Sequence, residues 1–93
     1  MSEYRIFETS GFHRDLAGLG PQAAKRIHDT LSRRVYPVLR AAPRETPSAF
    51  RLKDWDPPTW RLRIDMLRIF FEIDDEKRVV FLTAAQHRKD AYG

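Results

Sequence analysis

The chain contains no cysteine, so disulfides and thiolate metal sites are excluded. That usage suits a reducing compartment, and a cytoplasmic location is expected. The three histidines, His13, His28 and His87, are far apart and lack metal-ligand spacing. No apolar run is long enough to cross a bilayer. The opening residues, Met1-Ser2-Glu3-Tyr4-Arg5, lack a basic stretch followed by an apolar core, so no signal peptide is expected. Internal repeats and low-complexity tracts are also missing. A chain of 93 residues makes one domain, with a small core. With disulfides and thiolate metal sites excluded, a protein partner is the remaining external source of stability.

Seventeen basic residues face thirteen acidic ones, for a net charge of +4 and a pI near 9.9. This balance fits an anionic partner, nucleic acid first, and it equally fits plain solubility.

Tyr4-Arg5-Ile6-Phe7-Glu8-Thr9 is rich in β-formers and predicts a first strand. Ser10 is placed to cap a helix in which Phe12, Leu16 and Leu19 share one face. Gly20-Pro21 ends that helix and starts another. The second helix carries the stripe Ala24, Ile27, Leu31, Val35, with Lys25, Arg26, Asp29, Arg33 and Arg34 largely off it. An antiparallel helix hairpin follows from the tight break. Pro37 predicts an end or kink at Tyr36, and the stretch 40–48, with two prolines, reads as a loop. Strands are expected over 50–55, 60–64, 67–73 and 79–85. The fold class is therefore α+β: an N-terminal strand, a helix hairpin, then three to four strands in a mainly antiparallel sheet with the helices on one face.

The segment Trp60-Arg61-Leu62-Arg63-Ile64-Asp65-Met66-Leu67-Arg68-Ile69-Phe70-Phe71 is the most informative. A two-residue turn at Asp65-Met66 pairs Ile64 with Leu67, Leu62 with Ile69 and Trp60 with Phe71, all on one side. Arg63 then faces Arg68 on the other side, with Arg61 opposite Phe70. Facing arginines repel by roughly 0.2–1 kcal/mol, which fold stability does not select. Phosphate binding does select paired guanidinium donors. Screening by Asp65, Glu72 or Asp90 is the competing explanation.

The chain closes on Gln86-His87-Arg88-Lys89-Asp90-Ala91-Tyr92-Gly93. Cleavage of RNA by its own 2′-hydroxyl needs a base, an acid and cations around the phosphorane. Histidine can serve as base or acid, arginine and lysine as the cations, and tyrosine as a hydrogen-bond donor or stacking surface. A basic solvated tail is the alternative.

The ordered set of strand, helix hairpin and sheet, with Phe12-x-x-Asp15-Leu16-x-x-Leu19, Trp60-Arg61-Leu62-Arg63-Ile64 followed by Arg68, and His87-Arg88-x-x-x-Tyr92, resembles the RelE/ParE superfamily of type II toxins. Members of that family typically read Tyr-Arg-Leu-Arg-Val-Gly-Asp-Tyr-Arg in the sheet and end on His-Arg-x-x-x-Tyr. Here Asp65-Met66-Leu67 replaces Gly-Asp-Tyr. The resemblance covers nearly the whole chain and implies a toxin held inactive by a cognate antitoxin. RelE-like members cut mRNA in the ribosome without a metal or cofactor. By position, Arg68 matches the phosphate-contacting arginine, Arg88 and Tyr92 match the terminal pair, and His87 is the expected acid or base. Arg61, Arg63, Lys53 and Lys89 are the expected RNA contacts. Loss of the nuclease constellation would leave a ParE-like inhibitor of DNA gyrase, or a degenerate toxin that only binds its antitoxin. The combination of His87, Arg88 and Tyr92 favours the nuclease.

Overall fold

A computed structural model describes residues 3–87. Strand β1 (Arg5–Glu8) leads into helix α1 (Ser10–Ala17) and helix α2 (Pro21–Thr30). A π-helical turn (Leu31–Val35) joins α2 to α3 (Tyr36–Ala41), and a 3₁₀ turn (Pro43–Glu45) follows. Strands β2 (Ala49–Arg51), β3 (Trp60–Ile64), β4 (Leu67–Asp74) and β5 (Val79–His87) complete the chain. The sheet order is β1-β5-β4-β3-β2, with β1 parallel to β5 and every other pairing antiparallel.

Thr9, not Ser10, caps α1: its side chain accepts a hydrogen bond from the Phe12 N–H at 3.2 Å. The helix thus begins one residue earlier than a Ser10 cap would allow, and it buries Phe12 and Leu16. Pro21 opens α2 as expected. Pro37 does not end the helix. It lacks the N–H that would bond back to Arg33, and its ring crowds that turn. The widened π turn accommodates both effects, with the Tyr36 N–H reaching the Leu31 carbonyl. Buried positions accordingly run Ile27, Leu31, Tyr36, Leu39, and the five-residue step from Leu31 to Tyr36 marks the wide turn. Val35, expected on the stripe, is displaced to a partly buried position.

The β3–β4 register matches the sequence pattern: Trp60 opposite Phe71, Leu62 opposite Ile69, Ile64 opposite Leu67, and Arg63 opposite Arg68. Asp65 takes a φ of 52° in the turn, a left-handed conformation that aspartate tolerates better than most residues. Leu62, Ile64, Leu67, Ile69 and Phe71 join Val80 and Leu82 in one core with Phe12, Leu16, Leu31 and Leu39. Strand β2 stops at Arg51 instead of reaching residue 55. Asp54 turns the chain with a φ of 63°, and 52–59 becomes a loop.

A register shift between Phe70 and Phe71 leaves Thr83 extra on β5, a β-bulge. Helix α1 lies against it. The Ala85 N–H donates to Asp15 Oδ2 at 2.9 Å, and a Cβ at Gly11 would lie 3.3 Å from the Thr83 carbonyl oxygen. A side chain there would press on the close approach of helix and strand.

Two carboxylates tie distant segments together. Asp75, in the β4–β5 turn, takes paired hydrogen bonds from Arg44 at 3.0 and 2.7 Å and one from the Tyr4 hydroxyl at 2.5 Å. Arg44 and then Tyr4 hold its carboxyl down to about 2. Glu8 accepts from Tyr36 at 2.6 Å and meets His13 and His28 at 2.9 Å each. It thereby joins β1, α1, α2 and α3. Burial is the largest influence on Glu8 and works against its charge. The hydrogen bonds from Tyr36, His13 and His28, with the charge of His28, outweigh burial and hold the carboxyl below the usual range.

A carboxyl depressed in the folded state contributes stability above its unfolded value and loses it as pH falls through the folded value. Urea midpoints measured at pH 7 and pH 3 should therefore fall less for Glu8→Gln than for the wild type; parallel losses would show that the brace carries no such linkage. Asp15→Ala should cost about 1–3 kcal/mol by stranding the buried Ala85 N–H, and Asp15→Asn, which keeps an acceptor, should cost less. Chemical denaturation of the three proteins checks the order.

Candidate RNA-binding cleft

Because β3 and β4 spend every second side chain on the core, the alternate positions collect on the other face. One cross-strand row there is Arg63, Arg68, Gln86, and the next is Phe50, Arg61, Phe70, Ala84. A third runs Glu72, Phe81, Phe7. The 52–59 loop folds beside this face and brings Trp55 against Phe70, with ring centroids 5.9 Å apart and planes at 22°. Thr59 anchors the loop: it is buried, its hydroxyl donates to the Pro57 carbonyl at 2.9 Å, and its own carbonyl accepts from the Leu52 N–H at 2.9 Å.

The result is a cleft of about 570 Å³, with Trp55, Arg61, Arg68, Phe70, Glu72 and Gln86 among its lining residues. Arg61 is partly buried, and among the described residues neither it nor Arg63 has an ion-pair partner. Neither Asp65 nor Glu72 forms an ion pair with Arg63, and Asp90, the third acid expected to screen the facing arginines, lies outside the described residues. Glu72 places a partly buried carboxylate on the arginine face.

The expected site residues divide. Arg61 and Arg68 line the cleft, and Arg63 shares their face but is exposed at its margin. An arginine on the outer face of a strand is ordinarily exposed and of little weight for stability, and Arg68 departs from that. It is only 3% exposed, on the central strand β4 between Arg63 of β3 and Gln86 of β5. No buried side-chain polar atom among the described residues lacks a partner, so its guanidinium is a structural group as well as a cleft group. Lys53 is exposed on the loop and does not line the cleft. His87 pairs across from Leu67, a core-side position, while its neighbour Gln86 pairs with Arg68. Period-two alternation therefore turns His87 away from the arginine face, toward Leu19, Ile27 and Met66. Arg88, Lys89 and Tyr92 lie outside the described residues.

Sequence reasoning missed Trp55 and named Glu72 only as a screening acid. Trp55 stood inside a predicted strand, and only the turn-forming Asp56-Pro57-Pro58 beside it hinted at a loop. Glu72 became a site residue only once the register fixed its face.

A second concavity, about 580 Å³, lies between α2 and the β3–β4 turn and is lined by Lys25, Arg26, Arg33 and Arg34. Asp29 and Asp65 stand among these cations, as Asp56 and Glu72 stand beside Arg61 and Arg68 in the cleft. No group of three or more His, Asp or Glu among the described residues is arranged to hold a metal ion. No helix among them is long and apolar enough to cross a membrane.

Comparison with known proteins places this geometry in context. A chain of the RelBE2 toxin–antitoxin complex from Mycobacterium tuberculosis has a similar fold, with a TM-score of 0.71, 24% identity, and coverage of 95% of this chain and 94% of that one. The free-state structure of a mutant Escherichia coli RelE toxin gives a TM-score of 0.67 at 18% identity, covering 99% and 90%. A chain of the archaeal RelE–RelB complex from Pyrococcus horikoshii gives 0.59 at 21% identity, covering 95% and 97%. No curated protein matches the sequence significantly. The family model described as the ParE toxin of the type II toxin–antitoxin system matches residues 9–92. The chain therefore belongs to the RelE/ParE superfamily and is a toxin of a type II toxin–antitoxin system with a RelE-like fold.

Proposed function

We propose that this toxin is a ribosome-dependent endoribonuclease that cuts mRNA in the open-face cleft. The observation that carries the reading is the convergence of Arg61, Arg68 and the Glu72 carboxylate in one cleft with an aromatic wall. A nuclease of this class makes a bond from the ribose 2′-oxygen to phosphorus and breaks the bond from phosphorus to the 5′-oxygen. The products are a 2′,3′-cyclic phosphate and a free 5′-hydroxyl. Arg61 and Arg68 offer forked donors to the phosphate oxygens as negative charge builds on them. Glu72 is the group in the cleft suited to take the 2′ proton. His87 stands on the other face, so the proton for the leaving 5′-oxygen falls to Arg88 or Tyr92, the terminal pair in the family resemblance. No step in this scheme calls for a metal or cofactor.

Among the described residues, the cleft offers Glu72 as a base without a matched acid. Positioning by the ribosome supplies what the side chains do not, since orientation alone is worth several kcal/mol. A cognate antitoxin covering the basic face completes the reading. Two of the similar folds were solved as toxin–antitoxin complexes. Poisoning of DNA gyrase is the second reading, favoured by the ParE toxin family match and by the placement of His87 off the arginine face.

Arg61→Ala is a cleaner probe than Arg68→Ala, because loss of the buried Arg68 lowers stability along with activity. Arg61→Ala should fold normally and cut mRNA on programmed ribosomes about 100- to 1000-fold more slowly. Glu72→Gln should show a similar loss. Unchanged cutting by both variants removes the cleft from the mechanism, whereas inhibition of gyrase supercoiling without any mRNA cutting establishes the second reading. The product of the adjacent reading frame should co-purify with the toxin at low salt; separate elution under those conditions speaks against antitoxin masking.

A further inference from the structure

We propose that Trp55 is a nucleobase-stacking residue, holding one base of single-stranded RNA against the cleft while Arg61 and Arg68 hold the backbone. The proposal deepens the ribonuclease reading and rests on it. It assigns the base-holding role to the 52–59 loop, independently of the C-terminal Tyr92.

Trp55 is 51% exposed, a large area of indole for a soluble protein to leave in water. Core packing does not explain its position, because Trp55 lies on the sheet face away from the helices. Its ring is nevertheless placed: Phe70 stacks against it at 5.9 Å, and Phe70 itself is only 8% exposed. The loop that carries it is anchored by the buried Thr59 and its two hydrogen bonds. Trp55 is therefore a held aromatic surface with one side supported and half its area open.

Arg61 and Arg68 line the same cleft, together with the carboxylates Asp56 and Glu72; the two guanidiniums suit a ligand carrying a phosphate next to a flat aromatic group. A single-stranded nucleotide has that composition, and every base offers a π-face, so the site is tolerant of sequence. Trp60 provides an internal contrast. It stacks on Phe71 at 6.2 Å and packs against the core on the opposite face, where RNA in the cleft does not reach it.

The test uses a fully 2′-O-methylated RNA hexamer, which binds without being cut, and a series of the same hexamer with one abasic position. Binding to the full-length toxin is followed by tryptophan fluorescence and by anisotropy of a labelled hexamer. Wild type should show quenching on binding, and one abasic position should weaken its affinity by about 5- to 150-fold. Trp55→Ala should bind the intact hexamer weaker by a similar factor and should no longer respond to the abasic substitution. Trp55→Phe, which keeps an aromatic surface, should retain most of the affinity while losing the quench. Equal affinity of wild type and Trp55→Ala for the intact hexamer, with the abasic penalty preserved in both, overturns the stacking role and leaves RNA binding in the cleft standing. Failure of the wild type to bind any hexamer, alone or on ribosomes, overturns the RNA reading and the stacking role together.

Discussion

Everything on the open face follows from the pairing of β3 with β4. Trp60, Leu62, Ile64, Leu67, Ile69 and Phe71 must all reach the core beneath the helices, and only one register delivers them together. A slip of one residue would drive the arginines into the core and the aliphatic side chains into water. Burial of those side chains, worth about 1.5–3 kcal/mol each, far exceeds the repulsion of roughly 0.2–1 kcal/mol between Arg63 and Arg68. Fold stability therefore tolerates a concentration of positive charge that it does not itself require.

The helix side of the sheet uses its polar groups differently. Glu8, Asp15 and Asp75 are each occupied in joining separate segments: β1 with all three helices, α1 with the bulge on β5, and the β4–β5 turn with Tyr4 and Arg44. These ties compensate for the limited core of a short chain without disulfides. They also leave Glu72 and Asp56 as the carboxylates lining the cleft. The division gives the arginine face its character: Glu8, Asp15 and Asp75 brace the helix side, and Arg61 and Arg63 on the other face enter no ion pair among the described residues.

Alternation of apolar and polar residues made the sheet legible in the sequence, since period two dictates which side chains share a face. The same rule, carried two strands further, places Gln86 beside Arg68 and turns His87 away. The sequence reading grouped His87 with the arginines by residue chemistry and chain proximity, and did not extend the register to β5. The bulge at Thr83 made that extension hard, because an extra residue inverts the face of everything before it relative to everything after. The helix reading erred for a related reason. A π turn shifts the apolar phase by one residue, so Tyr36 took the core position and Val35 was displaced. Burial of Arg68 depends on strands and a loop contributed from separate parts of the chain, and no local pattern announces it.

Trp55 shows where local signals run out altogether. Its segment, Phe50-Arg51-Leu52-Lys53-Asp54-Trp55, has the composition of a strand, and Ala49 to Arg51 do form one. Asp54 then enters the left-handed region and the chain leaves the sheet edge. What is lost in ladder hydrogen bonds is recovered by the Leu52 to Thr59 backbone contact and by the ring contact with Phe70. An edge strand continued to residue 55 would have carried the indole past the sheet's margin. Leaving the sheet sets the indole beside Arg61 and Arg68, and the cleft gains its aromatic wall from a departure that propensity alone would have called a defect.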